Sequence, residues 1–326
     1  MAYTDIDNPE LYFQTKIFTG NENTLAVTFD GSENMQPDWV WIKNRADTYN
    51  HSLFDSVRGA TKRIASNATL AEATVAASLT AFNSNGFTLG NDTTSNAPNN
   101  SHVSWNWKAG GSASSNSNGT ITSSVSANTD AGFSIVSYTG NGSDNATIGH
   151  GLGSSIDFVI VKRRNTTSNW LVQGSKVGTG YGQYLELNAT NAIASASDNI
   201  KSVSSSLLTL GTNGSCNGSS DTYIAYCFAE KKGYSKFGSY TGNGNNNGTF
   251  VYTGFKPAFV IVKNTAINEN WSMHDNKRND NVIPNYARLT PDDNQAEATN
   301  TTFAKLETFS NGFKLGNSAD VINDSG

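Results

Sequence analysis

One short segment constrains the fold of this chain more than any other, because it occurs three times. The copies are PDWVWIKNR at 37–45, IDFVIVKRR at 156–164 and PAFVIVKNT at 257–265, and their closing lysines are Lys43, Lys162 and Lys263. Each apolar run is too short and too rich in β-branched residues for a stable helix, and it favours a central β-strand buried on both faces. The chain is therefore predicted to be a tandem-repeat protein.

The 326 residues accommodate three units of about 100 residues, the size of a small β-sandwich domain. Each unit opens with a strand that ends in Thr-Gly-Asn, at Asn21, Asn141 and Asn243. Gly-Asn is typical of a turn, because both residues tolerate positive φ. Units one and three also share an Asn-Gly hairpin signature, at 79–91 and 306–317. The pattern predicts an all-β fold of three tandem antiparallel β-sandwich units of jelly-roll-like complexity.

The predicted organisation has five segments: an N-terminal arm at 1–14, repeat 1 at 15–111, a Ser/Asn/Gly-rich segment at 112–132, repeat 2 at 133–233 and repeat 3 at 234–326. The first part of 112–132 is predicted to be a flexible linker, and its ITSSV portion is predicted to extend the opening strand of repeat 2. The junction between repeats 2 and 3 is shorter, so these two repeats are expected to be held more rigidly.

The last strand of a repeat reads HVSWNW at 102–107 in repeat 1 and TYIAYCF at 222–228 in repeat 2. The alternation predicts one strongly apolar face, with Asn106 and Cys227 on the other face. Repeat 3 has no such strand before Gly326 and is predicted to be one strand short. A sandwich without an edge strand leaves backbone groups unpaired, and proteins normally cover them. Two explanations remain open: the chain ends early, or another molecule supplies the strand by β-augmentation.

Composition excludes several classes of function. Charged residues make up 15% of the chain and the formal net charge is -5, without the clustered Lys and Arg of a nucleic-acid partner. The N-terminus has neither the basic start nor the apolar core of a secretory signal, and no apolar run approaches the roughly 20 residues that cross a bilayer. Cys216 and Cys227 lie in one repeat only, so both are predicted to be free structural thiols.

Candidate reactive groups are few. None of the four histidines, His51, His102, His150 and His274, has a second histidine or a cysteine at metal-ligand spacing. The chain has no Gly-x-Ser-x-Gly elbow, and its Gly-rich turns lack the Gly-Lys-Ser/Thr ending of a phosphate-binding loop. Asp55 and Asp275 are candidate glycosidase carboxylates, but repeat 2 has no matching acid, so paired carboxylates are not predicted. Asp92, Asp144, Asp292 and Asp293 match no EF-hand spacing. No catalytic residue, cofactor or metal is predicted, and the protein is not expected to be an enzyme.

The tryptophans suit either a sugar-stacking platform or core packing. Five of the six lie in segments whose copies carry apolar residues, which favours core packing. The residues left as candidates for binding a glycan or a protein partner are Trp170, Tyr181 and Tyr184.

The segments that carry a family resemblance are SIVSYTGNGSDNATIGHGLG and FVIVKRR in repeat 2, and DWVWIKNR, LFDSVRG, SNGFTLGN and WNWKAGG in repeat 1. Together they resemble an uncharacterised repeat common in structural proteins of marine tailed bacteriophages, including those of cyanobacteria. The resemblance covers nearly the whole chain, except the aromatic strand that would follow in repeat 3. It implies a virion component, either a tail fibre or tail-tip protein or a capsid-decoration protein, and it transfers no catalytic residue.

We therefore expect a non-enzymatic virion structural protein that mediates particle assembly or host-surface attachment. Its expected partners are other virion proteins and copies of itself in a homo-oligomer, with a host cell-surface glycan as a further candidate. It is expected to be made in the host cytoplasm and located in the virion, without nucleic acid or membrane insertion, and residues 1–14 are the candidate attachment arm. The alternative is an array of carbohydrate-binding modules that recognise host surface glycans.

Overall fold

The computed structural model describes residues 4–278, 287–299 and 304–325. These residues form an almost entirely β structure with two antiparallel sheets in each repeat. We call the sheet that contains the central strand the large sheet and the other the small sheet, although in repeat 3 the described part of the large sheet has only two strands. The predicted fold of three tandem antiparallel β-sandwich units is confirmed.

Repeat 1 follows a short 3₁₀-helix, Pro9–Leu11. Its elements are β1 (Phe13–Thr19), β2 (Leu25–Thr28), β3 (Trp39–Asn44), β4 (Ser52–Asp55), β5 (Lys62–Arg63), β6 (Ala73–Thr74), β7 (Leu79–Asn83), β8 (Gly86–Leu89), α1 (Thr93–Asn96) and β9 (Ser101–Trp107). The large sheet has the order β1-β9-β3-β4 and the small sheet the order β2-β8-β7, while β5 and β6 form a separate pair. The last strand, β9, therefore lies between the opening strand and the central strand.

Repeat 2 contains β10 (Ser114–Asn116), β11 (Ser123–Asn128), β12 (Phe133–Thr139), β13 (Ala146–Gly149), β14 (Phe158–Arg163), β15 (Trp170–Gln173), β16 (Gln183–Glu186), β17 (Ala194–Ser195), β18 (Ile200–Val203), β19 (Leu207–Leu210) and β20 (Thr222–Phe228). Its large sheet has the order β10-β11-β12-β20-β14-β15-β16-β17 and its small sheet the order β13-β19-β18. Here β20 occupies the place that β9 occupies in repeat 1.

The prediction that the first part of 112–132 is a flexible linker is wrong, because β10 (Ser114–Asn116) lies at the edge of the large sheet of repeat 2. Strand β11 pairs with β12 from Ser124↔Ser137 to Asn128↔Phe133, and β10 pairs with β11. The ITSSV portion thus leads into a neighbouring antiparallel strand and does not lengthen the opening strand. Hydrogen bonds between the paired strands satisfy the backbone groups of this segment, so it is ordered although its side chains are mostly polar.

Repeat 3 contains β21 (Phe250–Tyr252), β22 (Phe259–Val262), β23 (Ser272–Asp275), β24 (Leu306–Phe309), β25 (Gly312–Leu315) and α2 (Asp320–Asn323). Its small sheet has the order β21-β25-β24, whereas its large sheet is the pair β22-β23. Residues 237–241, which correspond to β1 and β12, form no strand. In the described part of repeat 3, the central strand therefore has one neighbour where β3 and β14 each have two.

The central strands of repeats 1 and 2 are covered on both faces, as predicted, and a different layer covers each face, whereas the central strand of repeat 3 is only partly buried. Val40 and Ile42 pack against the small sheet of repeat 1. The opposite face packs into a shared core, whose members come from all three repeats and include Trp39, Trp41, Trp105, Phe133, Ile160, Tyr226, Trp271 and Met273. The repeats are therefore not independent sandwiches, because each buries one face of its large sheet against the other two.

The lysine that closes each central strand satisfies the carbonyl groups of the loop that follows. Lys43 Nζ donates to Asn44 O at 2.6 Å, and Lys263 Nζ donates to Asn264 O at the same distance. Lys162 Nζ donates to Ser168 O at 2.5 Å. Burial lowers the pKa of Lys43 and of Lys162 to about 8. The repeated lysine is thus a structural cap at the end of the strand.

The Thr-Gly-Asn turns need glycine for space and not for positive φ, which corrects the reason expected from the sequence. A Cβ at Gly20 would lie 2.1 Å from Ala97 O, and one at Gly242 would lie 2.2 Å from Asp324 O. The chain that leads towards the last strand passes at these points. An asparagine side chain holds it there: the Oδ1 atoms of Asn96, Asn217 and Asn323 accept from the backbone N–H of Asn21, Asn141 and Asn243, respectively.

The described part of the N-terminal arm packs against the body of the protein. The Asp5 N–H donates to Lys232 O at 2.9 Å, and Ile6 is buried. Residues 1–3 of the predicted attachment arm lie outside the described residues. The two cysteines are buried and free, as predicted, and burial raises the pKa of each thiol to about 12.

Candidate functional site

The three predicted binding residues do not come together on one surface. Trp170 is fully buried, and its indole N–H donates to Ala65 O in repeat 1 at 2.9 Å. Tyr181 and Tyr184 are partly buried and pack against the sandwich core of repeat 2, and the Tyr181 hydroxyl donates to Ile156 O at 3.2 Å. Their role in binding a glycan or a partner stays a prediction.

The carboxylates considered for catalysis each form a buried ion pair. Asp55 Oδ2 lies 2.5 Å from Arg58 Nε, and Asp275 Oδ2 lies 2.6 Å from Arg278 Nε, with all four side chains inaccessible to solvent. Burial alone would raise the pKa of Asp275, but the adjacent Arg278 guanidinium and its hydrogen bonds bring that pKa below its ordinary value. Asp275 therefore stays ionised, which suits a structural anion.

The aspartates considered for Ca²⁺ also have structural partners. Asp92 caps α1 and lies 3.0 Å from Arg63, and Asp292 accepts from the side chain of Asn270 and the backbone N–H of Trp271. Burial raises the pKa of Asp292 to about 6. Among the described residues, no group of three or more His, Cys, Asp or Glu side chains is arranged to hold a metal ion.

A charged network joins repeats 1 and 2. Arg58 donates to Asp55 and also to Glu72, at 3.2 Å. Glu72 accepts from Arg164 of repeat 2 at 2.9 Å, and the Tyr226 hydroxyl of repeat 2 donates to Asp55 at 2.8 Å. We call these five residues the repeat 1–2 junction. Each charge in it has a partner, as buried charges require.

An equivalent network joins repeats 3 and 1. Asp275 and Arg278 take the places of Asp55 and Arg58, and Glu297 lies 2.9 Å from Arg278. Repeat 1 contributes Arg45, which is 2.7 Å from Glu297, and Trp105, whose indole N–H donates to Asp275 at 2.9 Å. We call this set the repeat 3–1 junction.

The third junction, between repeats 2 and 3, has uncharged residues at the equivalent positions. The β14–β15 register ends with Val159 opposite Gln173, and one residue further it would set Gly174 opposite Phe158, where Asp55 lies opposite Trp39 in repeat 1. The Ile193 N–H donates to Thr265 O at 3.0 Å, just as the Glu72 N–H donates to Arg164 O. The replacements in this repeat 2–3 junction are Gly174 for the aspartate, Val177 for the inner arginine, Ile193 for the glutamate and Thr265 for the outer arginine. Its wall is therefore apolar.

A second set of equivalent contacts runs from each repeat to a neighbour. The donors are the Nε1 atoms of Trp170 and Trp271 and the Nε2 atom of His51, and their acceptors are the carbonyl oxygens of Ala65 (2.9 Å), Glu186 (3.0 Å) and Thr290 (2.9 Å), respectively. These bonds link repeat 2 to repeat 1, repeat 3 to repeat 2 and repeat 1 to repeat 3. The contacts form a complete cycle, so the repeats have a pseudo-threefold arrangement around the shared core.

His51 can make its two hydrogen bonds in this cycle of contacts only when its ring is neutral. Its Nδ1 accepts from the Trp41 indole N–H at 2.8 Å, which leaves the proton on Nε2, facing Thr290 O. A proton on Nδ1 would face the indole N–H and break that bond. Burial, reinforced by the charge of Lys43, lowers the pKa of His51 to about 3.

Acid is therefore expected to weaken the protein through His51. The unfolded ring has a pKa near 6.5, so below that pH the unfolded chain binds a proton that the folded chain excludes. The stability is present above pH 6.5 and is lost as the pH falls. Between pH 7 and pH 5 the loss amounts to about 2 kcal/mol for this residue. The double variant Trp41→Ile/His51→Trp copies the Ile160–Trp170 pair of repeat 2, and it should flatten the pH dependence by that amount in urea unfolding. An unchanged slope would show that His51 protonates freely in the folded state.

A cleft of about 950 Å³ opens beside the central strand of repeat 3. One side is β22 and the other is residues 237–241, and we call the space between them the strand cleft. Its further lining includes Phe158, Val177, Leu185 and Phe228 of repeat 2. The corresponding space holds β9 in repeat 1 and β20 in repeat 2.

The cleft leaves core positions uncovered. Val260 and Ile261 are partly exposed, whereas the equivalent Val40 and Trp41 in repeat 1 are at most 2% exposed. Phe259 keeps its aromatic neighbours from repeat 1, with its ring centroid 5.8 Å from that of Trp105. The strand cleft is thus an open edge of the shared core.

Sequence reasoning missed the junctions, although a signal was present. Repeats 1 and 3 carry Asp-x-x-Arg after the segment centred on Phe54 or Met273, and repeat 2 carries Gly-x-x-Val there. Comparing the three copies shows that aspartate and arginine are lost together, which is the pattern of an ion pair. The pattern could not reveal that the further partners, Tyr226 and Trp105, come from a neighbouring repeat.

Comparison with known proteins supplies a family but no activity. A family model described as a domain of unknown function (DUF7483) matches residues 8–326, which span all three repeats. No curated protein and no solved structure matches the chain. None of the helices in the described ranges has the length and apolar character needed to cross a membrane.

Proposed function

Because the chain belongs to this family of domains of unknown function, DUF7483, whose model spans the three repeats as one unit, we propose that it is a non-enzymatic structural protein of a bacteriophage virion. It acts there as a tail-fibre, tail-tip or capsid-decoration component, in contact with copies of itself and with other virion proteins. The resemblance of its repeats to structural proteins of marine tailed phages supports this role.

One observation carries the proposal: the four histidines and the two aspartates that are candidates for catalysis serve structural contacts. Asp55 and Asp275 hold arginines inside the junctions. The four histidines are buried, and a ring nitrogen of each lies within hydrogen-bond distance of a carbonyl oxygen or a serine hydroxyl of the protein. Residues that an enzyme would expose to a substrate instead join strands, loops and repeats, as a rigid assembly part requires.

The proposal predicts where the protein lies. Cryo-EM of purified phage particles should show density for a triangular unit of three sandwiches on the tail or the capsid, repeated with the symmetry of that site. Mass spectrometry of the same particles provides the control by measuring copy number. A particle preparation from which the protein is absent, while it is abundant in the infected cell, would contradict a virion role.

A further inference from the structure

One of the three equivalent contacts between repeats differs in chemistry from the other two. The donor is Trp170 in repeat 2 and Trp271 in repeat 3, but it is His51 in repeat 1, and each of the three follows an asparagine. An indole N–H has no protonation equilibrium in the ordinary pH range, so the contacts made by the two tryptophans do not change in acid. Of the three bonds, the one from His51 to Thr290 O depends on a titratable group, and it joins repeat 1 to repeat 3.

The partners of His51 fix its protonation state. The Trp41 indole can only donate, so the His51 Nδ1 atom, 2.8 Å away, has to accept and carries no proton. The single ring proton therefore lies on Nε2, where it is donated to Thr290 O. With a second proton the ring could keep only one of these two bonds. The hydrogen-bond geometry thus makes the closed contact between repeats 1 and 3 incompatible with a charged ring.

The charges around His51 also oppose a second proton. The side chains that act on the ring are both positive, Lys43 from its own repeat and Arg278 from repeat 3. The carboxylates of this region that act on Lys43 are Asp293, Asp47 and Glu297. The backbone groups of Thr290 and Asp293 favour a proton on the ring, and the neutral ring already supplies one on Nε2. Burial, followed by the Lys43 charge, lowers the pKa of His51 to about 3.

Other titratable groups do not distinguish this interface from the rest. The groups within bonding distance of the other histidine rings belong to the same repeat as the ring: Asn100 O for His102, Ser204 O for His150 and Ser272 Oγ for His274. The repeat 1–2 junction and the repeat 3–1 junction each contain one aspartate, one glutamate and two arginines. Protonation of carboxylates would therefore weaken both junctions alike. His51 is the group that sets one interface apart in acid.

We propose that the bond between His51 and Thr290 makes the interface between repeats 1 and 3 an acid-sensitive opening point. When His51 binds a second proton, this interface opens first, while the contacts made by Trp170 and Trp271 stay closed. Opening separates Phe259 of repeat 3 from the rings of repeat 1 that lie 5.7–5.8 Å from it, which are Phe13, Trp105 and Trp107. Mild acid therefore exposes an apolar face of the shared core without unfolding a repeat.

Three equivalent backbone amides report on the three interfaces. The N–H groups of Glu72, Ile193 and Glu297 donate across the interfaces to Arg164 O (2.8 Å), Thr265 O (3.0 Å) and Arg45 O (2.9 Å), respectively. Each amide is freed when its own interface opens, so hydrogen exchange followed by NMR measures the openings separately. The rates are corrected for the intrinsic pH dependence of exchange.

Between pH 7 and pH 5 the protection of the Glu297 amide should fall by about 25-fold, because the freed His51 ring takes up a proton near its ordinary pKa of about 6.5. Protection of the Glu72 and Ile193 amides should change by less than about threefold over the same range, since their interfaces are closed by tryptophans. An equal fall at all three amides would overturn the proposal.

Two variants provide matched controls. His51→Gln keeps an acceptor and a donor on a side chain that cannot be charged, and Trp41→Ile/His51→Trp copies the pair found in repeat 2. In both, protection of the Glu297 amide should change between pH 7 and pH 5 as little as that of Glu72. A 25-fold fall that persists in these variants would show that another group opens the interface.

Nitrogen-15 NMR of the histidine rings needs no variant. The His51 ring should keep its proton on Nε2 and an unprotonated Nδ1 at pH 5 in the closed protein. A ring that takes up its second proton near pH 6.5 while the Glu297 amide stays protected would contradict the proposal, because the closed contact would then tolerate the charge.

Discussion

Replacing Arg58 by valine is expected to lower the free energy of unfolding by about 3–5 kcal/mol, because the Asp55 carboxylate would stay buried without its partner. The side chains of both residues are inaccessible to solvent, and Asp55 accepts the Tyr226 hydroxyl as its main remaining contact across the junction. Guanidinium unfolding followed by tryptophan fluorescence and by circular dichroism measures the loss.

The chain provides its own control for this experiment. The quintuple variant Asp55→Gly/Arg58→Val/Glu72→Ile/Arg164→Thr/Tyr226→Phe gives the repeat 1–2 junction the apolar character of the repeat 2–3 junction, and it should recover at least half of the loss. Lys16→Ala removes an ion pair whose Asp30 side chain is 61% exposed, and it should cost less than about 1 kcal/mol. If Arg58→Val were as mild as Lys16→Ala, the junction would not hold the repeats together.

Much of the fold could be predicted because the same pattern of strands is found independently in each repeat. Alternation in Val103, Trp105 and Trp107 predicted the apolar face of β9, and all three side chains pack in or against the shared core. Fully apolar runs such as Val40 to Ile42 predicted strands buried on both faces, and this holds in repeats 1 and 2. The described residues of repeat 3 contain no last strand, as the alignment of the copies predicted.

The arrangement of the repeats around a shared core was not predicted, although the burial predicted for both faces of each central strand pointed to it. A small sheet can cover only one face of a central strand, so the other face of Trp39 and Trp41 needs a second cover. The sequence does not say which segment provides it, because apolar faces of similar composition fit one another in many ways. The strands in 112–132 were not predicted for a related reason: the segment is polar, and its pairing partners, among them Val136 opposite Val125, lie in the strand that follows it.

Replacing Trp39 by alanine is expected to cost about 3–5 kcal/mol and to lower the stability of all three repeats together. The Trp39 ring is 1% exposed, and it stacks on Tyr226 of repeat 2 with the ring centroids 4.2 Å apart. Calorimetry should show one transition at a lower temperature for the whole chain. Leu70→Ala, at a position that is 56% exposed, should leave that transition within a degree or two.

Hydrogen exchange distinguishes a shared core from a row of separate sandwiches. If the repeats fold as one unit, Trp39→Ala speeds exchange in β20 and β23 as much as in β3, since all three strands border the same core. Separate sandwiches would confine the loss of protection to repeat 1 and would give a second, unshifted melting transition. The cyclic contacts through His51, Trp170 and Trp271 favour the first outcome, because losing one repeat removes a hydrogen-bond partner from each of the other two.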